Sequence, residues 1–351
     1  MARAGEPLVT ALAWRGDHLE IIDQTALPAQ LILLRLRTVA EVVAAIRRLA
    51  VRGAPALGVC GAFAMVLALD DQPPPTASAA RERLALAASQ VGAARPTAVN
   101  LSWAARRVAA LAAGGDTPEA IRRLAVAEAE RICAADRESC RRIGEAARAE
   151  LAGASRLMTY CNAGRLASAG IGTALAVAYL KAEAGEPVSV LVCETRPLLQ
   201  GARLTAWELA EAGIPVTLIP DGAAGAALAG GRAEAVIVGC DRVAANGDTA
   251  NKIGTYGLAT LARASGVPFY VAGPLASFDP DAATGADIVI EERPADEVRC
   301  LGGVPTAPHV TVWNPAFDVT PGGLITAFVT EAGVLRPPFG PAIAAALRTQ
   351  R

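Results

Sequence analysis

Four short polar segments each follow an apolar run in the second half of this 351-residue chain. Cys161-Asn162-Ala163-Gly164 follows residues 157–160, and Cys193-Glu194-Thr195-Arg196-Pro197 follows 188–192. Pro220-Asp221-Gly222 follows 216–219, and Gly239-Cys240-Asp241-Arg242 follows 235–238. Apolar runs of this length, alternating with helical segments, read as strands of a parallel sheet. In an open parallel sheet, ligands bind beyond the carboxyl ends of the strands. Thiols, carboxylates and hydrogen-bond donors therefore gather at one edge, as in an enzyme or a small-ligand site.

The chemistry of each group follows from its neighbours. Gly170-Ile171-Gly172-Thr173 opens a helix after Cys161. A helix N-terminus lowers a thiol pKa, and its N–H groups hold an anion. Cys161, Cys193 and Cys240 all end apolar runs, and spacing does not choose among them. Asp241 stands at the rim of an apolar run, where desolvation favours the un-ionised carboxyl that a general acid needs; pairing with Arg242 or capping a helix is the other reading. The 33 basic residues are 31 arginines and two lysines, Lys181 and Lys252. Lys181 sits at a polar helix end. Lys252 sits in Asn246-Gly247-Asp248-Thr249-Ala250-Asn251-Lys252, rich in turn formers and leading into a helix, where an ammonium suits a phosphate. Arg52 and Arg95 lie in turns, as solvated charges or as anion contacts.

Several classes are excluded. A net charge of -1 gives no basic excess for nucleic acid. The two histidines, His18 and His309, are far apart, and the seven cysteines contain no C-x-x-C pair, so no metal site is expected. An odd number of cysteines suits reduced thiols in the cytoplasm. No G-x-x-x-x-G-K-[ST] occurs, and Leu175 stands where a dinucleotide fingerprint needs its third glycine. The first residues lack the apolar stretch of a signal peptide. The longest uncharged apolar run, 53–69, contains Pro55 and falls short of the ~20 residues of a span; it reads as a buried helix, and no membrane contact is expected.

Those groups must be positioned by an α/β fold. Helices are expected at 40–49, 81–88 and 117–150, the last with Thr117-Pro118 as cap and first turn, and a hairpin at 12–14 and 19–23. From residue 153 strands are expected at 157–160, 188–192, 216–219, 235–238, 269–271 and 288–290. Helices at 172–183, 200–212, 223–228 and 254–264 alternate with them. The result is a doubly wound parallel sheet, with domains at 1–150, small and mainly helical, and 151–351, the catalytic α/β domain.

Read together, these segments resemble the 5-methylthioribose-1-phosphate isomerase family. The resemblance is carried by Arg52-Gly53-Ala54-Pro55-Ala56-Leu57-Gly58, Arg95-Pro96-Thr97-Ala98-Val99-Asn100, the Cys161 and Glu194 segments and Gln200-Gly201-Ala202-Arg203-Leu204-Thr205-Ala206. The run from Gly239 to Tyr256 and Asn314-Pro315-Ala316-Phe317-Asp318-Val319-Thr320-Pro321 complete it. The resemblance implies a Rossmann-like C-terminal domain, a homodimer, and an aldose–ketose isomerase of methionine salvage with no cofactor or metal. It implies Cys161 and Asp241 as the catalytic pair, and Arg52, Gly53, Ala54, Arg95, Gln200, Asn251 and Lys252 as contacts to a sugar phosphate. Isomerases of ribose 1,5-bisphosphate or 5-deoxyribose 1-phosphate are the alternative enzymes. Non-catalytic translation-factor regulatory subunits share the superfamily but generally lack the Cys/Asp pair.

Overall fold

The computed structural model describes residues 10–95 and 98–349; Pro96 and Thr97 of the Arg95 segment lie outside them. The chain divides into two compact units. The smaller holds the described residues up to Cys140 together with Arg165–Gly172; the larger holds Arg141–Gly164 and the chain from Thr173 onward.

In the smaller unit the expected hairpin, β1 (Leu12–Trp14) and β2 (Leu19–Ile22), gains a third antiparallel strand, β3 (Leu33–Leu36). α1 (Val39–Arg47) begins in a capping box, with Thr38 and Glu41 exchanging side-chain and backbone bonds. α2 (Ala54–Asp70) carries Pro55 in its first turn and is buried at every position from Ala56 to Leu69. A helix apolar on all faces belongs in a core, and α3 (Ala77–Ala94) and α4 (Val99–Ala112) pack against it. The Arg95 segment, read as a turn, thus runs into a helix. α5 (Pro118–Glu150) buries Ile121, Ala125, Ala129, Ile132 and Cys133 as one stripe, and the Thr117 hydroxyl accepts from Ala120 N.

The larger unit is built on β4 (Arg156–Thr159), α6 (Ala176–Glu183), β5 (Ser189–Cys193), α7 (Ala206–Glu211), β6 (Val216–Ile219), α8 (Ala224–Ala229) and β7 (Ala235–Val238). A hairpin of β8 (Arg242–Ala244) and β9 (Thr249–Lys252) precedes α9 (Thr255–Ala264) and β10 (Phe269–Ala272). The short β11 (Phe278–Asp279), α10 (Asp296–Arg299), β12 (Cys300–Leu301) and β13 (Val304–Pro305) lead to β14 (Phe317–Thr320), β15 (Ala327–Thr330), β16 (Gly333–Leu335) and α11 (Phe339–Arg348).

The main sheet runs β16-β15-β10-β7-β4-β5-β6, parallel except for the antiparallel edge strand β16. From β4 the chain winds outward to β6, returns to β7, and winds the other way. The order therefore reverses between β4 and β7. Every residue of β7, β10 and β15 is buried; each buried Val, Ile or Phe side chain contributes roughly 1.5–3 kcal/mol. A second sheet, β11-β8-β9-β14, lies in the same unit.

Two expectations are corrected. Residues 288–290 form no strand, and Val289 is 82% exposed, so the apolar run lacks a pairing partner. Lys181 is in the last turn of α6 as expected, but it is buried rather than solvated, with Nζ 3.5 Å from the Ala152 carbonyl oxygen and 3.6 Å from Glu186 Oε2.

Candidate active site

β4 and β7 are neighbours at the point where the strand order reverses, the place where open α/β sheets bind ligands. The Thr159 hydroxyl of β4 donates to the Ile237 carbonyl of β7 at 2.7 Å. Cys161 follows β4 and Asp241 follows β7, so the two lie in loops beyond the carboxyl ends of adjacent strands. Their loops touch: a Cβ built on Gly239 would stand 2.7 Å from the Ala163 Cβ. The Asp241 N–H donates to the Ala250 carbonyl at 3.0 Å, tying that loop to β9.

The three strand-end cysteines have different surroundings. Cys193 is fully buried, and burial pushes its thiol up to about 12. Cys240 is packed against Gly273, bonds to Ser277, and is likewise pushed up to about 12, chiefly by burial. Cys161, like Cys240, is partly exposed, and it alone of the three has a positive φ, 62. A non-glycine residue in the left-handed region costs roughly 1–3 kcal/mol and marks a site where the surroundings enforce it. Thr195 (φ 65), within the second polar segment, and Leu199 (φ 58), just after it, share that conformation.

Asn251 and Lys252 lie on β9 rather than in a loop. They pair with Asp318 and Phe317 of β14. Lys252 Nζ donates to the Ala316 carbonyl at 2.8 Å and stands 4.4 Å from the centre of the Phe317 ring. Asn251 is buried and donates to Thr255 Oγ1 at 3.1 Å. Asp318 accepts from the Gly254 and Tyr256 N–H groups at the start of α9, and burial pushes its carboxyl up. Gly254, at φ 105, is pressed against Tyr160; a Cβ there would lie 2.2 Å from the phenol oxygen.

Gln200 is buried and precedes a π-helical turn, Gly201–Thr205, that runs into α7. Gln200 and Lys252 line one small hollow with Leu198, Ile253 and Asn314. The Gln200 Oε1 atom is buried and has no hydrogen-bond partner among the described residues. The larger unit thus collects Cys161, Asp241, Gln200, Asn251 and Lys252. Arg52, Gly53, Ala54 and Arg95 belong to the smaller unit, where Gly53 (φ 92) lies so close to Ala167 that a Cβ would meet its carbonyl oxygen at 2.7 Å. Among the described residues no group of three or more His, Cys, Asp or Glu side chains could hold a metal ion, and no helix is long and apolar enough to cross a membrane.

Sequence reasoning missed the buried polar residues behind the site, Thr205 and Glu208 above all. The quoted motifs contain Thr205, but a threonine inside a helical segment gives no local sign of its role.

Residues 50–337 match the sequence pattern of the initiation factor 2 subunit family. A 5-deoxyribose 1-phosphate isomerase of Moorella thermoacetica is 50% identical over 97% of both chains. A methylthioribose-1-phosphate isomerase of Gemmatimonas aurantiaca is 51% identical over 94% of this chain and 95% of its own. The crystal structure of 5-methylthioribose 1-phosphate isomerase from Pyrococcus horikoshii OT3 superposes with a TM-score of 0.92 at 40% identity, covering 97% of this chain and 96% of that one. A structure from A. fulgidus described as translation initiation factor eIF-2B, subunit delta, gives a TM-score of 0.89 at 43% identity, covering 97% and 99%.

Proposed function

This chain belongs to the initiation factor 2 subunit family and is an isomerase; from that premise we propose that it converts 5-methylthioribose 1-phosphate to 5-methylthioribulose 1-phosphate in methionine salvage. The observation that carries the proposal is the juxtaposition of a thiol loop and a carboxyl loop at the reversal of strand order.

The substrate's C1 bears phosphate, so its ring does not open to a free aldehyde. A proton must reach the ring oxygen as its bond to C1 breaks, and Asp241 supplies it as general acid. Hydrogen then passes from C2 to C1 while the C2 hydroxyl gives up its proton to the carboxylate that Asp241 has become, leaving a ketone and restoring the acid. Two routes balance: Cys161 as thiolate carries a proton through an enediol-type intermediate, or it stabilises a direct hydride shift. Deuterium at C2 retained fully at C1 argues against a proton route that exchanges with solvent. Neither route needs a redox cofactor, because the hydrogen moves within one molecule. Lys252 and Arg52 neutralise phosphate, with Gly53, Ala54, Arg95 and Asn251 as further contacts, and the unpartnered Gln200 oxygen accepts from a sugar hydroxyl. The reading carries with it a cytoplasmic homodimer.

A second reading, 5-deoxyribose 1-phosphate isomerase, is favoured by the 50% identity to the Moorella protein. The two substrates differ only beyond C4, far from the reacting carbons, so one mechanism serves both. The test is to assay methylthioribose 1-phosphate, 5-deoxyribose 1-phosphate and ribose 1,5-bisphosphate side by side. We expect the highest kcat/KM on the first and loss of turnover in Cys161→Ala and Asp241→Asn. No turnover of any of the three by wild type overturns the proposal, and near-normal rates in either variant remove that residue's role.

A further inference from the structure

Cys161 holds a backbone conformation that its own side chain disfavours, so something else must hold it. We propose that Thr195 and Thr205 are positioning residues that clamp the Cys161 backbone in its left-handed conformation, with Thr205 aimed by the π-helical turn and backed by Asn162 and Glu208. This rests on the reading of Cys161 as a reacting group.

The clamp closes on both polar groups of the Cys161 main chain. Its N–H donates to Thr195 Oγ1 at 2.9 Å, and its carbonyl accepts from Thr205 Oγ1 at 2.6 Å. Both threonines are fully buried, where a hydroxyl must be bonded or costs free energy. Each is fixed in turn. Thr195 Oγ1 donates to the Cys193 carbonyl at 3.0 Å, and its N–H donates to Asp221 Oδ1 at 2.8 Å. Thr205 Oγ1 accepts from Asn162 Nδ2 at 3.1 Å, and the same amide donates to Glu208 Oε1 at 2.5 Å. Glu208 leaves no room beside it, since a Cβ on Gly164 would stand 2.0 Å from its Oε1.

The element that supplies Thr205 is itself unusual. π-helical turns are rare and concentrate at functional sites. The one here spans Gly201–Thr205, and α7 continues from Ala206. Thr205 closes that turn and Glu208 lies in the α-helix that continues it, so both reach the Cys161 loop from consecutive turns.

The experiment is steady-state kinetics of Thr205→Val and Thr205→Ser with the preferred substrate, alongside the rate of Cys161 alkylation read by peptide mass. Valine keeps the volume and removes the hydroxyl; serine keeps the hydroxyl. We expect Thr205→Val to lose about tenfold to a hundredfold in kcat, the scale of an ångström-sized misplacement, with KM unchanged. Alkylation at Cys161 should shift in rate, and Thr205→Ser should restore both. Thr195→Val repeats the test if Thr205→Val does not fold. A folded Thr205→Val with wild-type kcat and alkylation rate overturns the clamp, as does a loss that serine fails to restore. Cys161→Ala separates the two ideas: if it keeps full turnover, the reading of Cys161 fails; if it is inactive while Thr205→Val is normal, only the clamp fails.

Discussion

Gly201 shows how little freedom a single position has beside this site. A Cβ there would fall 1.8 Å from the Cys193 carbonyl oxygen and 2.9 Å from Thr195 Oγ1. The first neighbour is main chain of a central strand and cannot rotate away. The second is the hydroxyl that accepts from Cys161. Gly201→Ala is therefore expected to cost about 3 kcal/mol, the upper range for overpacking, seen as a lower urea midpoint. Gly222→Ala, where no atom lies within 4 Å, is the control and should unfold like wild type. Equal midpoints for the two variants would show that the π-helical turn shifts to make room. Residue identity alone predicts a tight glycine in this segment, but not what it presses against. The positive φ of Cys161 is likewise invisible in sequence, because cysteine carries no preference for it.

At the scale of the element, α5 illustrates how helix and loop depend on each other. Asp136 accepts from Ala169 N–H at 2.7 Å, and Arg137 Nε donates to the Ala169 carbonyl at 3.3 Å. The 165–172 segment is also held by Gln24, which donates to the Leu166 carbonyl at 2.7 Å. Burial pushes the Asp136 carboxyl up to about 6 from its ordinary 3.8. A carboxyl raised in the folded state binds its proton more tightly there than in the unfolded chain. Its contribution to stability is greatest below pH 3.8 and is lost as pH rises to about 6. Asp136→Asn keeps an oxygen for Ala169 and does not titrate. Its stability relative to wild type should grow between pH 4 and 6 and level off above, by at most about 3 kcal/mol. A gap independent of pH would place the titration elsewhere. The elements are legible in the sequence where the pattern is strong, as in the helical stripe of α5 and the continuous apolar run of β7. The hairpin of β8 and β9 is not, because Asn246-Gly247-Asp248-Thr249-Ala250-Asn251-Lys252 lacks alternation and becomes extended through pairing with β14. The reverse error, a strand at 288–290, came from β-branched residues with no neighbour to pair with. Both errors are tertiary pairing overriding local preference.

For the whole molecule, the family includes proteins described as isomerases and others described as translation-factor subunits, at similar identity to this chain. Binding of a sugar phosphate and its turnover are measured separately. A ligand that binds only the folded chain stabilises it by about 2.7 kcal/mol at a hundredfold excess over Kd. Cys161→Ala and Asp241→Asn keep the groups proposed to hold phosphate, so 5-methylthioribulose 1-phosphate should raise their Tm while neither turns it over. Lys252→Met removes one of only two lysines in the chain and, with it, the ammonium now held at the Ala316 carbonyl. Its Tm without ligand should fall slightly through loss of that bond, and the rise on adding ligand should shrink or vanish. Raising ionic strength should reduce the rise in the lysine-bearing proteins more than in Lys252→Met, because the ammonium–phosphate attraction is screened. If Lys252→Met gains as much Tm as wild type, phosphate is bound by other groups. If wild type gains Tm yet turns over none of the sugar phosphates, the chain binds the sugar phosphate without isomerising it, and the proposed reaction of the thiol and carboxyl loops fails.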